Sequence, residues 1–239
     1  MITRTGECFS GIIRSIAGKQ KLLAVLVDPD KFNVEEAGEV LGNLPEGTTH
    51  IFVGGSTVVK GRTCEVVRVL KQYSPLPVIL FPGDHNQISA YADALLFLSL
   101  ISGRNPEYLI EQQVRSVQKI KNTALEIIPT GYILIDGGKE CAVHRVSNTI
   151  PLPQTDIENI VNTALAGQYS GKKLIYLEAG SGANVPVSVE IISEVKAALE
   201  IPLIVGGGIR SKQQLQKAYE AGADLVVIGT AFEDGDFQH

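Results

Sequence analysis

The chain is short of cysteine, of net positive charge and of long apolar runs, and each shortage narrows the field. Cys8, Cys64 and Cys141 are the only cysteines among 239 residues, far apart and without a C-x-x-C pair. No histidine cluster accompanies them at metal-ligand spacing, so neither a disulfide framework nor a structural zinc site is expected. A reducing, cytoplasmic setting is the default for such a sequence. With 21 Lys+Arg against 26 Asp+Glu, the formal charge of −5 argues against nucleic acid or an anionic membrane as the main partner. Residues 1–7 lack the apolar core of a signal peptide, and no apolar run reaches bilayer-spanning length. A chain with no transmembrane segment can still draw an apolar substrate from a membrane by transient contact.

What the chain does have is a series of short apolar runs, most of which stop at aspartate, glutamate or glycine. They cover residues 22–27, 50–53, 77–81, 94–98, 132–135, 173–177, 203–205 and 225–228. Such runs read as strands buried on both faces, the mark of a parallel sheet. Helical periodicity fills residues 10–16, 58–73, 106–121, 155–168, 187–199 and 211–221. Eight strands spaced roughly thirty residues apart predict a single (β/α)8 TIM barrel over residues 1–239. A doubly wound open sheet is the competitor. Asp28, Ser56, Glu178, Gly206 to Gly208 and Gly229-Thr230 all fall just past strand ends; in a closed barrel they share one rim, and in an open sheet they scatter.

Two segments depart from the repeat. Residues 82–93, with Asp84, His85, Asn86 and Gln87, are tight for a crossover helix, so a reduced or missing helix is expected between the third and fourth strands. Residues 136–153, with Lys139, Glu140, His144 and Arg145, form a long connection of the kind that serves as a lid or binding loop.

The glycine junctions after the last two strands suit a phosphate, because amides at a Cβ-free turn approach anionic oxygens closely. Asp28, in Asp28-Pro29-Asp30-Lys31, is a candidate Mg2+ ligand with Ser56 or its neighbour Thr57, since Mg2+ takes hard oxygens and few protein ligands. An Asp-Pro turn also serves simply as a turn. Glu178 is placed to bind a substrate hydroxyl or take its proton, or else to orient the amides of residues 179–182. His85 and His144 are weaker candidates in polar loops.

Five motifs, Val25 to Lys31, Val53 to Thr57, Ile128 to Tyr132, Tyr176-Leu177-Glu178-Ala179-Gly180-Ser181-Gly182 and Val205 to Arg210, resemble the geranylgeranylglyceryl phosphate synthase family in its order. The Y-L-E-A-G-S-G run is the most specific of them. Leu26 and Val27 stand where some members carry a lysine, as in the larger-looped bacterial or archaeal subgroup. The resemblance implies a Mg2+-dependent prenyltransferase joining sn-glycerol 1-phosphate to a long prenyl diphosphate, usually as a homo-oligomer, dimer or hexamer. Carried over by motif, Asp28 and Ser56 serve the metal, with Asp28 and Glu178 catalytic. Tyr176, Leu177, Glu178, Ala179, Gly180, Ser181, Gly182, Gly207, Gly208, Gly229 and Thr230 bind the glycerol phosphate. Leu80, Tyr91, Leu98 and Leu100 are expected to line a groove for the isoprenoid tail. The alternatives are another phosphate-substrate barrel, an isomerase or lyase, and a non-catalytic phosphate-metabolite binding protein.

Overall fold

The computed structural model describes residues 6–233 together with Gly235 and Phe237; the first five residues of the 1–7 stretch lie outside it. In chain order the elements are α1 (Glu7–Ala17), β1 (Leu22–Val27), a 3-10 turn (Val34–Glu36), α2 (Ala37–Gly42), β2 (Thr48–Val53), α3 (Arg62–Tyr73), β3 (Val78–Leu80) and β4 (Ala94–Leu100). A π-helical turn (Glu107–Glu111) opens α4 (Gln112–Ile120), then come β5 (Glu126–Leu134), α5 (Ala142–Ser147), α6 (Ile157–Tyr169), β6 (Leu174–Glu178) and α7 (Val189–Ala198). The chain finishes with β7 (Leu203–Gly206), α8 (Lys212–Glu220), β8 (Leu225–Ile228) and α9 (Thr230–Glu233). The strands form a closed barrel in the order β1 to β8. The closed barrel, not the open sheet, is the architecture, and residues 81–93 hold turns but no helix. Among the described residues no helix is long and apolar enough to cross a membrane.

Contacts gather the chain into two compact units, Met1–Phe97 with Gln112–Ile128, and Leu98–Glu111 with Pro129–His239. In the first, β1 is apolar throughout and almost wholly buried, as a strand covered on both faces must be. Its pairing with β2 shifts between Leu23 and Ala24. The displaced residue is Thr49, whose hydroxyl accepts from the Leu23 N–H at 3.2 Å and donates to the Leu23 carbonyl at 2.9 Å. One side chain thus replaces the two ladder bonds that the bulge removes. Beside it His50 is buried, and desolvation pushes its imidazole down to about 4.

Each unit repeats one staple at a strand start. In the first, Asp93 accepts from the Val78 amide at 2.7 Å and pairs with Lys71 at 2.8 Å. In the second, Asp224 accepts from the Leu203 amide at 2.8 Å and pairs with Lys196 at 2.6 Å. A carboxylate answers an orphan strand N–H, and a lysine from the helix before that strand neutralises it.

Four elements differ from expectation. β5 starts at Glu126 rather than at Tyr132, although Pro129 and Gly131 read as breakers. Pro129 lacks a donor but its carbonyl accepts from the Lys173 amide at 2.7 Å. At Gly131 a Cβ would stand 2.9 Å from Ile101 and Ile175 side-chain carbons, so the glycine there serves close packing. α2 and α5 are short helices in stretches to which the sequence assigned no helix. α3 begins at Arg62 rather than Val58, behind Gly61 at φ +89°.

Candidate active site

In the second unit, Tyr176 and Glu178 project to one side of β6 and Leu177 to the other, as alternation requires. Glu178 is 6% exposed. Its Oε1 accepts from the Gly180 amide at 2.7 Å. Burial drives the carboxyl up to about 7, while the hydrogen bonds to the Gly180 amide and the Tyr176 hydroxyl pull the other way. The Tyr176 ring meets Tyr132 edge-on, centroids 5.3 Å apart. For both phenols burial raises the pKa, and the Glu178 charge adds to it. A carboxyl that ionises near neutrality in an apolar wall is a competent general base.

The glycines of β7 are explained by this carboxylate. A Cβ on Gly206 would stand 2.3 Å from the Tyr176 hydroxyl and 3.0 Å from Glu178 Oε2. One on Gly207, at φ +84°, would lie 2.5 Å from Glu178 Oε1 and 2.7 Å from the Gly180 nitrogen. No side chain fits, so the turn closes directly over Glu178. Within the loop the Ala179 amide is spent on the Gly206 carbonyl and the Ala183 amide on the Gly180 carbonyl. Ser181 Oγ and Thr230 Oγ1 lie 2.9 Å apart, beside Gly229, whose carbonyl accepts from the Phe232 amide. Among the described residues the amides of Ser181, Gly182, Gly207 and Gly208 have no partner. Four such amides and two hydroxyls are donors for an oxyanion group. Leu177 and Ala179 have buried side chains, so any contact they make with a small ligand is through backbone.

The 136–153 connection is pinned to that loop at its base. The Gly137 carbonyl accepts from the Asn184 and Val185 amides at 2.9 and 3.1 Å, and Asn184 Nδ2 donates to the Gly138 carbonyl at 3.2 Å. Gln154 Nε2 donates to the carbonyls of Asp136 and Pro186, and its Oε1 accepts from the Ser188 amide. Arg210 donates to the carbonyls of Gly182 and Ala183. Lys139 Nζ lies 3.0 Å from where a Cβ on Gly182 would be.

In the first unit, Asp28 is half-buried at the end of β1, its Oδ1 accepting from the Asp30 amide at 3.0 Å. Asp30 holds the Val59 amide with both oxygens, and Arg62 Nε donates to the Pro29 carbonyl at 2.9 Å. Asp28 and the Ser56 turn are neighbours: a Cβ on Gly55 would stand 3.1 Å from Asp28 Oδ1. Gln87, 1% exposed, grips the Gly55 residue from behind, Nε2 donating to its carbonyl at 2.8 Å and Oε1 accepting from its amide at 3.2 Å. Ser56 is half-buried and Thr57 exposed. Among the described residues no three His, Cys, Asp or Glu side chains gather into a metal cage. His85 is occupied with Gln112, and the His144 carbonyl takes the amides that end α5. Leu80 and Leu100 are buried, Leu98 half-buried and Tyr91 half exposed with Arg68 over its ring.

Gln87, Gln154, Arg210 and Lys139 had no individual role in the sequence reading. Each is a lone polar residue whose partner lies far along the chain, and no local pattern announces it.

A closed barrel of parallel strands with a glycine cup of amides and hydroxyls beside a buried acidic group is the class that fold and site define. Comparison narrows it. The PcrB family model matches residues 16–239. A geranylgeranylglyceryl phosphate synthase of Zunongwangia profunda is 60% identical over 232 residues, 97% of this chain and 99% of that one. One from Thermococcus gammatolerans is 46% identical over 218 residues, 90% and 85% of the two chains. The crystal structure of (S)-3-O-geranylgeranylglyceryl phosphate synthase from Thermoplasma acidophilum, in complex with sn-glycerol-1-phosphate, superposes with TM-score 0.88 at 34% identity, covering 98% of this chain and 92% of that one. A thiamine phosphate pyrophosphorylase of Pyrococcus furiosus, TM-score 0.55 at 16% identity, shares the fold alone. The chain belongs to the PcrB family and is an enzyme, a prenyltransferase of the geranylgeranylglyceryl phosphate synthase type.

Proposed function

We propose that the enzyme joins sn-glycerol 1-phosphate to a long prenyl diphosphate, geranylgeranyl by preference, giving a prenyl glyceryl ether phosphate and inorganic diphosphate. The bond formed runs from the glycerol 3-hydroxyl oxygen to C1 of the prenyl chain; the bond broken is C1 to the diphosphate oxygen. The hydroxyl proton passes to Glu178. The observation that carries the reading is that carboxyl, buried, held near 7 and roofed by Gly207. Ionised, it orients the hydroxyl and accepts its proton as the oxygen bonds to carbon. Tyr176, the amides of Ser181, Gly182, Gly207 and Gly208, and the Ser181 and Thr230 hydroxyls hold the acceptor, its phosphate in the cup, with Gly180 and Gly229 shaping the turns.

Mg2+ is part of the proposal. Asp28 Oδ1 faces the Cβ-free Gly55 beside the half-buried Ser56, and a site of few protein ligands suits an ion that keeps its waters. Asp28 and Ser56 would hold it, and it would supply positive charge to offset that of the diphosphate leaving group. The isoprenoid groove and the homo-oligomeric state belong to the same reading; light scattering separates dimer from hexamer.

The test is incubation with sn-glycerol 1-phosphate, Mg2+ and prenyl diphosphates of several lengths, with mass-spectrometric detection of the ether. No product with any length or with either glycerol phosphate enantiomer overturns the reading.

A further inference from the structure

We infer that Lys139 is an additional binding residue for the phosphate monoester dianion of the acceptor, reaching the cup from the 136–153 connection. The inference rests on the acceptor reading above, and three observations carry it.

The first is placement. Gly137 is wedged against the acceptor loop so closely that a Cβ would stand 2.2 Å from the Ala179 carbonyl oxygen and 2.7 Å from Ala183 Cβ. The Gly137 carbonyl holds two amides of that loop, and Gly138, at φ +78°, turns the chain with its own amide on Asp136 Oδ1 at 2.9 Å. Lys139 therefore leaves a fixed backbone point, and although the residue is exposed its ammonium lies against Gly182.

The second is charge. Among the described residues Lys139 makes no ion pair or hydrogen bond, and its acidic neighbour Glu140 is paired with Arg145 at 3.3 Å. Its positive charge is thus uncommitted, next to a turn made of amide and hydroxyl donors.

The third is what the cup otherwise lacks. Its side-chain donors are the neutral Ser181 and Thr230, and its buried ionisable group, Glu178, is an acid. Arg210, the other nearby cation, is spent on the carbonyls of Gly182 and Ala183. A dianion bound near an ionised Glu178 needs a compensating cation, and the Lys139 ammonium stands at the turn against Gly182. A lysine here acts as a point charge that docks on any phosphate oxygen, where an arginine would demand a fork geometry.

The experiment is calorimetric titration of sn-glycerol 1-phosphate, and of inorganic phosphate, into the wild-type protein and the Lys139→Met and Lys139→Arg variants at several salt concentrations. Lys139→Met keeps the stem and removes the charge. It is expected to weaken both ligands about tenfold, as loss of one charge-assisted contact does, and to flatten the salt dependence. Lys139→Arg recovers most of the affinity. In turnover the acceptor KM rises far more than kcat falls, while the donor KM stays within twofold or so. Unchanged acceptor and phosphate affinity in Lys139→Met overturns the role of Lys139. Wild-type protein that binds inorganic phosphate but not sn-glycerol 1-phosphate overturns the acceptor reading instead. Equal weakening of the neutral ligand glycerol, or a lowered melting temperature, identifies a loop defect and also overturns the charge role.

Discussion

The two units each end a strand in a carboxylate, and they treat it in opposite ways. Glu178 is shut beneath Gly206 and Gly207, with burial raising its pKa. Asp28 is half-buried, its Oδ1 accepting from the Asp30 amide and lying 3.1 Å from where a Cβ on Gly55 would be. The same functional group is shut into a dry wall in one environment and left half-buried beside a turn in the other, and packing makes the difference. The rigidity behind each also differs. Glu178 is fixed by the backbone of its own loop, whereas the Gly55-Ser56 turn is gripped by a buried glutamine 32 residues along the chain.

The comparison can be broken most severely at Glu178. Replacing it by Gln keeps the shape and removes the base, and kcat should fall by roughly 10²- to 10⁴-fold, with acceptor affinity measured by calorimetry changing far less. Gly207→Ala comes next: its methyl would collide with the carboxylate and with loop amides at a positive φ, and acceptor binding should be lost by about tenfold or more for strain of roughly 1–3 kcal/mol. In the other unit, Gln87→Leu removes both hydrogen bonds that the buried Gln87 side chain makes to the N–H and carbonyl of Gly55. That should cost about 1–3 kcal/mol in urea unfolding and leave sn-glycerol 1-phosphate binding intact.

The subtlest test uses pH. Because the folded-state pKa of Glu178 lies above the unfolded carboxylate value, its protonated form contributes stability that is full below about 4.5 and lost as pH rises through about 7. Glu178→Gln lacks that loss. Its stability relative to wild type should therefore improve between pH 4 and pH 8 by up to roughly 3 kcal/mol, read from paired denaturation curves. His50, with a depressed pKa, loses its contribution as pH falls from about 6.5 to about 4. It does so in both proteins and cancels in the difference. A constant difference across that range would show that Glu178 is an ordinary solvated acid, and the contrast with Asp28 would collapse. The activity of wild type should rise with pH through about 7 for the same reason.

Much of the barrel could be read from the chain because buried parallel strands are written as continuous apolar runs. The runs at Leu22–Val27 and Leu225–Ile228 match their strands residue for residue. The early half of β5 could not, since Pro129 and Gly131 are local breakers whose tolerance depends on Lys173, Ile101 and Ile175. α2 and α5 were hidden because six residues carry too little periodicity. At the site, Glu178 and its glycines announced themselves as strand-end residues, but the pressure of Gly207 on the carboxylate did not.

The sequence by itself determined the strand order, the shortage of a helix in residues 82–93 and the identity of the acid and glycines at the strand ends. Local pattern is enough for those, because burial and turn geometry restrict residue type. Only the tertiary structure decided that Glu178 sits in a dry wall near neutrality, that Gln87 clamps Gly55 and that Lys139 stands at Gly182. Desolvation and long-range hydrogen bonding depend on neighbours tens of residues away, and no single stretch of chain encodes them.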